Sequence, residues 1–114
     1  MIRPMADEVI VSTMNDLAGY RVTVVHGEVF GLIVRARNVF SNIGAGLCTL
    51  AGGEARGYTK LLSESREQAL DRLREAATER GANAMLAMRF DCNEIGDIMS
   101  EVAAYGTAVT VERI

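Results

Sequence analysis

The sequence predicts a single α+β domain, an antiparallel sheet with two helices on one face. Strand-like alternation at both ends of the chain, with helical periodicity between them, predicts that class. The strands are also apolar on both faces. Helices can cover one face, so the other is expected to meet a second copy of the chain.

Val9-Ile10-Val11-Ser12-Thr13 reads as a short β-branched strand. Asn15 to Gly19 is a turn, with Gly19 free to take a positive φ. Tyr20 to Arg37 is a long strand whose alternate residues separate Val22, Val24, His26, Phe30, Leu32 and Val34 from Val25, Gly27, Val29, Gly31 and Ile33. Gly27 and Gly31 on one side indicate a bulge or the close approach of another backbone.

From Asn38 to Ala51 the period becomes helical, through Val39, Phe40, Ile43, Leu47 and Leu50. Asn38 is the expected N-cap and Gly52-Gly53 the stop. This segment has no charged residue, so as a helix it calls for cover. A second helix is predicted from about Tyr58 to Arg80. Leu62, Ala69, Leu73 and Ala76 form its apolar stripe, broadened by Leu61, Leu70 and Ala77, and Gly81 ends it.

Ala84 to Cys92 returns to strand character, with Leu86, Met88 and Phe90 on one side and Met85, Ala87, Arg89 and Asp91 on the other. Asn93 to Asp97 reads as a turn, and Ile98 to Val111 completes a hairpin. Val102, Ala104, Gly106 and Ala108 offer a shallow floor for a helix. Val25, Val29, Ile33, Tyr105 and Val109 are expected on the uncovered face. At ~25 cal/mol per Å², pairing a face of that size with another subunit would contribute several kcal/mol.

Composition narrows the function. Twelve Lys and Arg against 15 Asp and Glu give a net charge of −3, which lacks the basic footprint nucleic acid requires. There is no Trp and there are only three Phe and three Tyr, too few to suggest a base-stacking surface. Residues 1–8 form a polar leader without the apolar core of a signal peptide, and residues 9–114 form the expected domain. No apolar run approaches the ~20 residues of a membrane span. Cys48 and Cys92 make no C-x-x-C pair, consistent with reduced thiols and a cytoplasmic location.

Several segments are similar to one family. They include Val11-Ser12-Thr13, Gly19-Tyr20, Val34-Arg35-Ala36-Arg37-Asn38, Gly52-Gly53-Glu54, Gly57-Tyr58-Thr59 and Ser65-Arg66-Glu67-Gln68-Ala69-Leu70. Gly81-Ala82-Asn83-Ala84, Arg89-Phe90-Asp91 and Tyr105-Gly106-Thr107-Ala108-Val109 follow in order. The chain resembles the YbjQ family, small bacterial proteins that carry a heavy-metal-binding label. The resemblance implies a YbjQ-like (dodecin-like) subunit in a ring homo-oligomer, a pentamer, with no firmly established molecular function. One departure is the first predicted helix, where family members commonly place charges and this chain has Ser41, Asn42, Cys48 and Thr49.

The nearest approach to a metal-ligand cluster is Asp91-Cys92-x-Glu94, with Asp97 beyond it. Read blandly, these are solvated turn residues. Ring symmetry could gather copies of Cys92 or Asp91 about an axis, but no metal residue and no cofactor is assigned. His26, beside Glu28, reads as a hydrogen-bonded structural histidine because no nucleophile lies near it in sequence. Ser12 and Thr13 are expected to satisfy local backbone groups, and no Ser-His-Asp triad is selected. Gly44-x-Gly46 and Gly52-Gly53 do not match phosphate-binding fingerprints. Met85, Met88 and Met99 read as core filler. The expectation is therefore a non-enzymatic homo-oligomer that binds or sequesters a ligand, with metal the class suggested by resemblance. The alternative is a scaffold that recruits another protein and binds no small ligand. An enzyme with its site between subunits ranks last.

Overall fold

A computed structural model describes residues 8–36, 56–95 and 99–114. Its elements in chain order are β1 (Ile10–Val11), β2 (Tyr20–Ala36), α1 (Arg56–Glu79), β3 (Ala84–Ile95) and β4 (Met99–Arg113). The strands form one four-stranded sheet in the order β1-β3-β4-β2. β2 with β4 and β3 with β4 are antiparallel, as the alternation predicts. β1 instead runs parallel to β3, pairing Ile10 with Ala84 and Val11 with Met85. The sheet is therefore mixed, a correction to the antiparallel expectation. A strand of two residues has no pattern of its own from which its direction could be read.

α1 is the one helix among the described residues; the helix predicted over Asn38 to Ala51 lies outside them, with Gly44, Gly46, Cys48, Gly52 and Gly53. α1 ends as Gly81 predicts. Gly81 takes φ +82, its N–H donates to Thr78 O at 2.9 Å, and the Ala82 N–H donates to Ala77 O at 3.0 Å. Together these bonds satisfy last-turn carbonyls in a Schellman closure. Asn83 then starts the return to the sheet. Its side chain donates to Val111 O and accepts from Val111 N–H, at 2.9 and 2.8 Å, copying a strand's paired bonds with an amide side chain.

α1 lies on the floor formed by Val102, Ala104 and Ala108, and it also covers Val29 and Ile33. The expectation had placed Val29 and Ile33 on the open face. Gly31 explains the correction: a Cβ there would lie 2.2 Å from Ala69 O and 2.5 Å from Leu73 N, so the helix backbone rests directly on that glycine. The buried line of α1 is Ser65, Ala69, Leu73 and Ala77, at steps of four. Leu62, expected in the stripe, lies outside this line and is exposed.

Bulges decide the remaining faces. The β2–β4 register shifts between Val22 and Val24 and again between Val25 and Gly27, where Gly27 takes φ +102. Strict alternation therefore fails across the strand, and Val25 separates from Val29. In β3 the register shifts between Leu86 and Arg89, with Ala87 at φ +54. Leu86 joins Ala84, Val109 and Val111 in a second small cluster, against Leu17 and Tyr20, whereas Met88 packs beneath α1 with Phe90 against the same core. Val109, expected on the open face, is thus buried by its own chain. The Ala87 bulge also holds the segment after β1. The Ala87 and Met88 N–H groups donate to Met14 O and Ser12 O, and Arg89 Nη1 donates to Thr13 O.

The final hairpin is longer than predicted. Pairing continues through Asn93 and Glu101 to Ile95 and Met99, so Asn93 to Ile95 belong to β3. Gly96 to Ile98 lie outside the described residues.

Candidate functional site

The described residues offer four places where chemistry or binding could occur. The first is the sheet face opposite α1. Phe30, Leu32 and Val34 stand there at 53%, 44% and 52% exposure, with Val22 and Val25 further along β2. Across the register, Phe30 pairs with Tyr105 and Leu32 with Ala103; the two rings lie 6.1 Å apart and tilted by 36°. On β3, Arg89 pairs with Tyr105 and Asp91 with Ala103. The face therefore grades from an apolar outer strand, through Ala103 and Tyr105, to charged side chains. Scattered apolar residues are normal on a surface, but three consecutive outward positions on one strand are a patch.

The hairpin carries the candidate metal ligands. Asp91 and Cys92 are both exposed, and Cys92 is a free thiol. Cys92 pairs with Val102, on the α1 side of β4, and Asp91 pairs with Ala103, on the open side. Consecutive strand residues point to opposite faces. One subunit thus sends these two ligands apart, and Asp91 instead accepts a hydrogen bond from Asn93 Nδ2 at 3.2 Å. The Glu94 side chain and Asp97 lie outside the described residues. No three His, Cys, Asp or Glu side chains come together among the described residues in a way that could hold a metal ion.

His26 has the structural role expected of it. Half-buried at the β2 bulge, its Nε2 lies 2.7 Å from Thr110 Oγ1, and its carbonyl accepts from Arg80 Nη1 at 3.0 Å. Ser12 Oγ accepts from the Met14 N–H, the local backbone service predicted for it. Met85 and Met88 are core residues, whereas Met99 is exposed and does not fill the core.

A fourth place could not be read from the sequence. An open groove of about 450 Å³ runs between α1 and β3, lined by Leu62, Ser63, Arg66, Glu67, Leu70 and Phe90, with Thr59 at its end. Arg66 lies over the Phe90 ring, 5.2 Å from its centroid. The only sequence signal for it is Leu62, an apolar residue left over from the buried line of α1. No helix among the described residues is long and apolar enough to cross a membrane.

A family model described as "Putative heavy-metal-binding", YbjQ, matches residues 9–112. UPF0145 protein YjfJ of Lactococcus lactis is 55% identical over 108 residues, which cover 95% of this chain and 99% of that protein. A UPF0145 protein of Streptomyces coelicolor is 60% identical over 104 residues, covering 91% and 98%. Among solved structures, a protein of unknown function from Pediococcus pentosaceus, of the DUF74 family, superposes with a TM-score of 0.55 at 14% identity. That alignment covers 91% of this chain and 98% of the other, and it establishes a shared fold.

Proposed function

This chain belongs to the YbjQ family, and we propose that it acts without catalysis, as a binding or sequestering module assembled from several copies of itself. The observation that carries this reading is the exposed row of Phe30, Leu32 and Val34 on a sheet whose other face already has its helix. Burying such a row against another copy gains ~25 cal/mol per Å² of apolar surface. In the proposed assembly, copies meet through this face and close into a ring, the arrangement implied by resemblance. The family's description supplies the cargo class, a heavy metal. Because Asp91 and Cys92 leave β3 on opposite faces, a metal site built on them requires more than one copy.

Light scattering after size exclusion tests the assembly. Wild-type protein is expected to run as one discrete oligomer, and Phe30→Asp or Leu32→Asp to lower its mass to that of a folded single chain. A wild-type monomer at micromolar concentration would overturn the reading. Native mass spectrometry of tag-free protein titrated with Zn²⁺ or Cd²⁺ tests the cargo. Stoichiometric uptake that falls in Cys92→Ser supports the hairpin site, and uptake unchanged by that substitution removes it.

A second reading is a scaffold that recruits another protein and binds no small ligand. The divergence of Asp91 and Cys92 favours it. An assembled protein that takes up no metal in the same titration would select it.

A further inference from the structure

We infer that Arg72 and Arg80 close the free edge of β2, so that copies of this chain join through the sheet face and are held back from joining edge to edge. The inference rests on the reading that copies associate through that face. Among the described residues β2 is the outer strand, paired on one side only, with β4. The unpaired side of such a strand presents backbone donors and acceptors in a row, a template for any extended segment. β2 is 17 residues long, against about 5–6 for a usual strand, and it carries the exposed Phe30, Leu32 and Val34. Length, a free edge and apolar side chains coincide on this one strand.

α1 meets that edge at two points. Arg72 Nη1 donates to Leu32 O at 2.6 Å, and Arg80 Nη1 donates to His26 O at 3.0 Å. Both are charge-assisted bonds to backbone carbonyls, stronger than the neutral strand-to-strand bonds that would replace them. An incoming strand would have to displace the arginines to use those carbonyls. Leu32 and His26 also lie three residues to either side of Val29. Two β2 strands paired antiparallel about Val29 would set each Leu32 opposite a His26, and so bring each Arg72 against an Arg80. Like charges would then crowd the seam. The second arginine is held at a bulge, where Gly27 leaves room: a Cβ there would lie 3.4 Å from Arg80 Nη1. The bulge itself also bends the strand out of a straight pairing path.

Sedimentation velocity and thioflavin T fluorescence on the full chain test this. The R72A/R80A variant is expected to form thioflavin-positive or higher-mass species about tenfold faster than wild type, with the far-ultraviolet circular dichroism of fresh protein unchanged. R72K/R80K, which keeps the charge and a donor at each position, is expected to behave like wild type. A folded R72A/R80A variant with wild-type mass and wild-type aggregation rate overturns the inference. If the double variant does not fold, R72A and R80A made singly carry the test: faster aggregation in either supports the inference, and no change in both overturns it. Adding F30D to R72A/R80A separates the two surfaces, because edge-built species survive loss of the face contact. A wild-type chain that is monomeric would sink the face reading while leaving the difference between wild type and R72A/R80A to judge the edge.

Discussion

Phe30 and Gly31 are neighbours on β2, yet one stands on the open face and the other lies directly beneath α1. The same division runs through β4, where Ala104, Gly106 and Ala108 alternate with Ala103, Tyr105 and Thr107. The covered face has small side chains because a helix backbone must come within contact distance of the strands. The open face, where nothing within the described chain sits on Phe30, Leu32 and Val34, has large ones. At Gly31, Ala104 and Ala108, on the covered side of the strands, small residues mark the face built for the chain's own α1.

Substitutions on each side test that contrast. The largest effect is expected at Gly31. Gly31→Ala drives a Cβ into the backbone of Ala69 and Leu73, and urea denaturation should show a loss of about 3 kcal/mol. Next comes Ser65, which is 0% exposed, with a hydroxyl that has no hydrogen-bond partner among the described residues. Ser65→Ala removes a buried unsatisfied group from the covered side and should raise stability by about 1 kcal/mol in the same assay. Ala87→Gly keeps the bulge that sorts β3 between the two faces and relieves a left-handed φ on a residue with a Cβ. Glycine's larger entropy loss offsets part of that relief, leaving a gain of about 0.5 kcal/mol, measurable as a rise in Tm. The smallest effect belongs to the open face: Leu32→Ser, measured in dissociated chain, should change stability by less than about 0.5 kcal/mol. If Leu32→Ser proved as damaging as Gly31→Ala, the open face would be packed within a single subunit.

The long periodic elements were legible in the sequence. α1, β2 and the final hairpin fall close to their expected bounds, and Gly19, Gly27 and Gly81 take the positive φ values that only small residues accept readily. Gly31 marks the face that α1 occupies, but only the pairing of β2 with β4 shows that this is the same side as the small floor of Ala104, Gly106 and Ala108. A bulge shifts every later side chain by one position while leaving composition unchanged, so strict alternation groups Val29 and Ile33 with Val25 on the open face; Val109 does lie on that face, where Leu17 and Tyr20 of the same chain pack against its cluster. Ala87 gave no warning, because alanine is not a residue expected in the left-handed region. The parallel direction of β1 is set by its contacts with β3, including the hydrogen bonds around Ala87, and not by its own two residues. At the hairpin, the close spacing of Asp91-Cys92-x-Glu94 is what suggests converging ligands. Strand pairing through Ile95 sends them apart.

The register has a consequence for how the chain is made. Among the described residues β2 has a single strand partner, β4, which is synthesised after α1 and β3: Ala36 pairs with Met99 and Tyr20 with Arg113. β1 likewise waits for β3. Until β4 is made, then, β2 lacks its strand partner, whereas α1 and later the β3–β4 hairpin can form from local contacts. Sheet closure joins strands far apart in the sequence, slow by the measure of loop closure and vulnerable until it is finished.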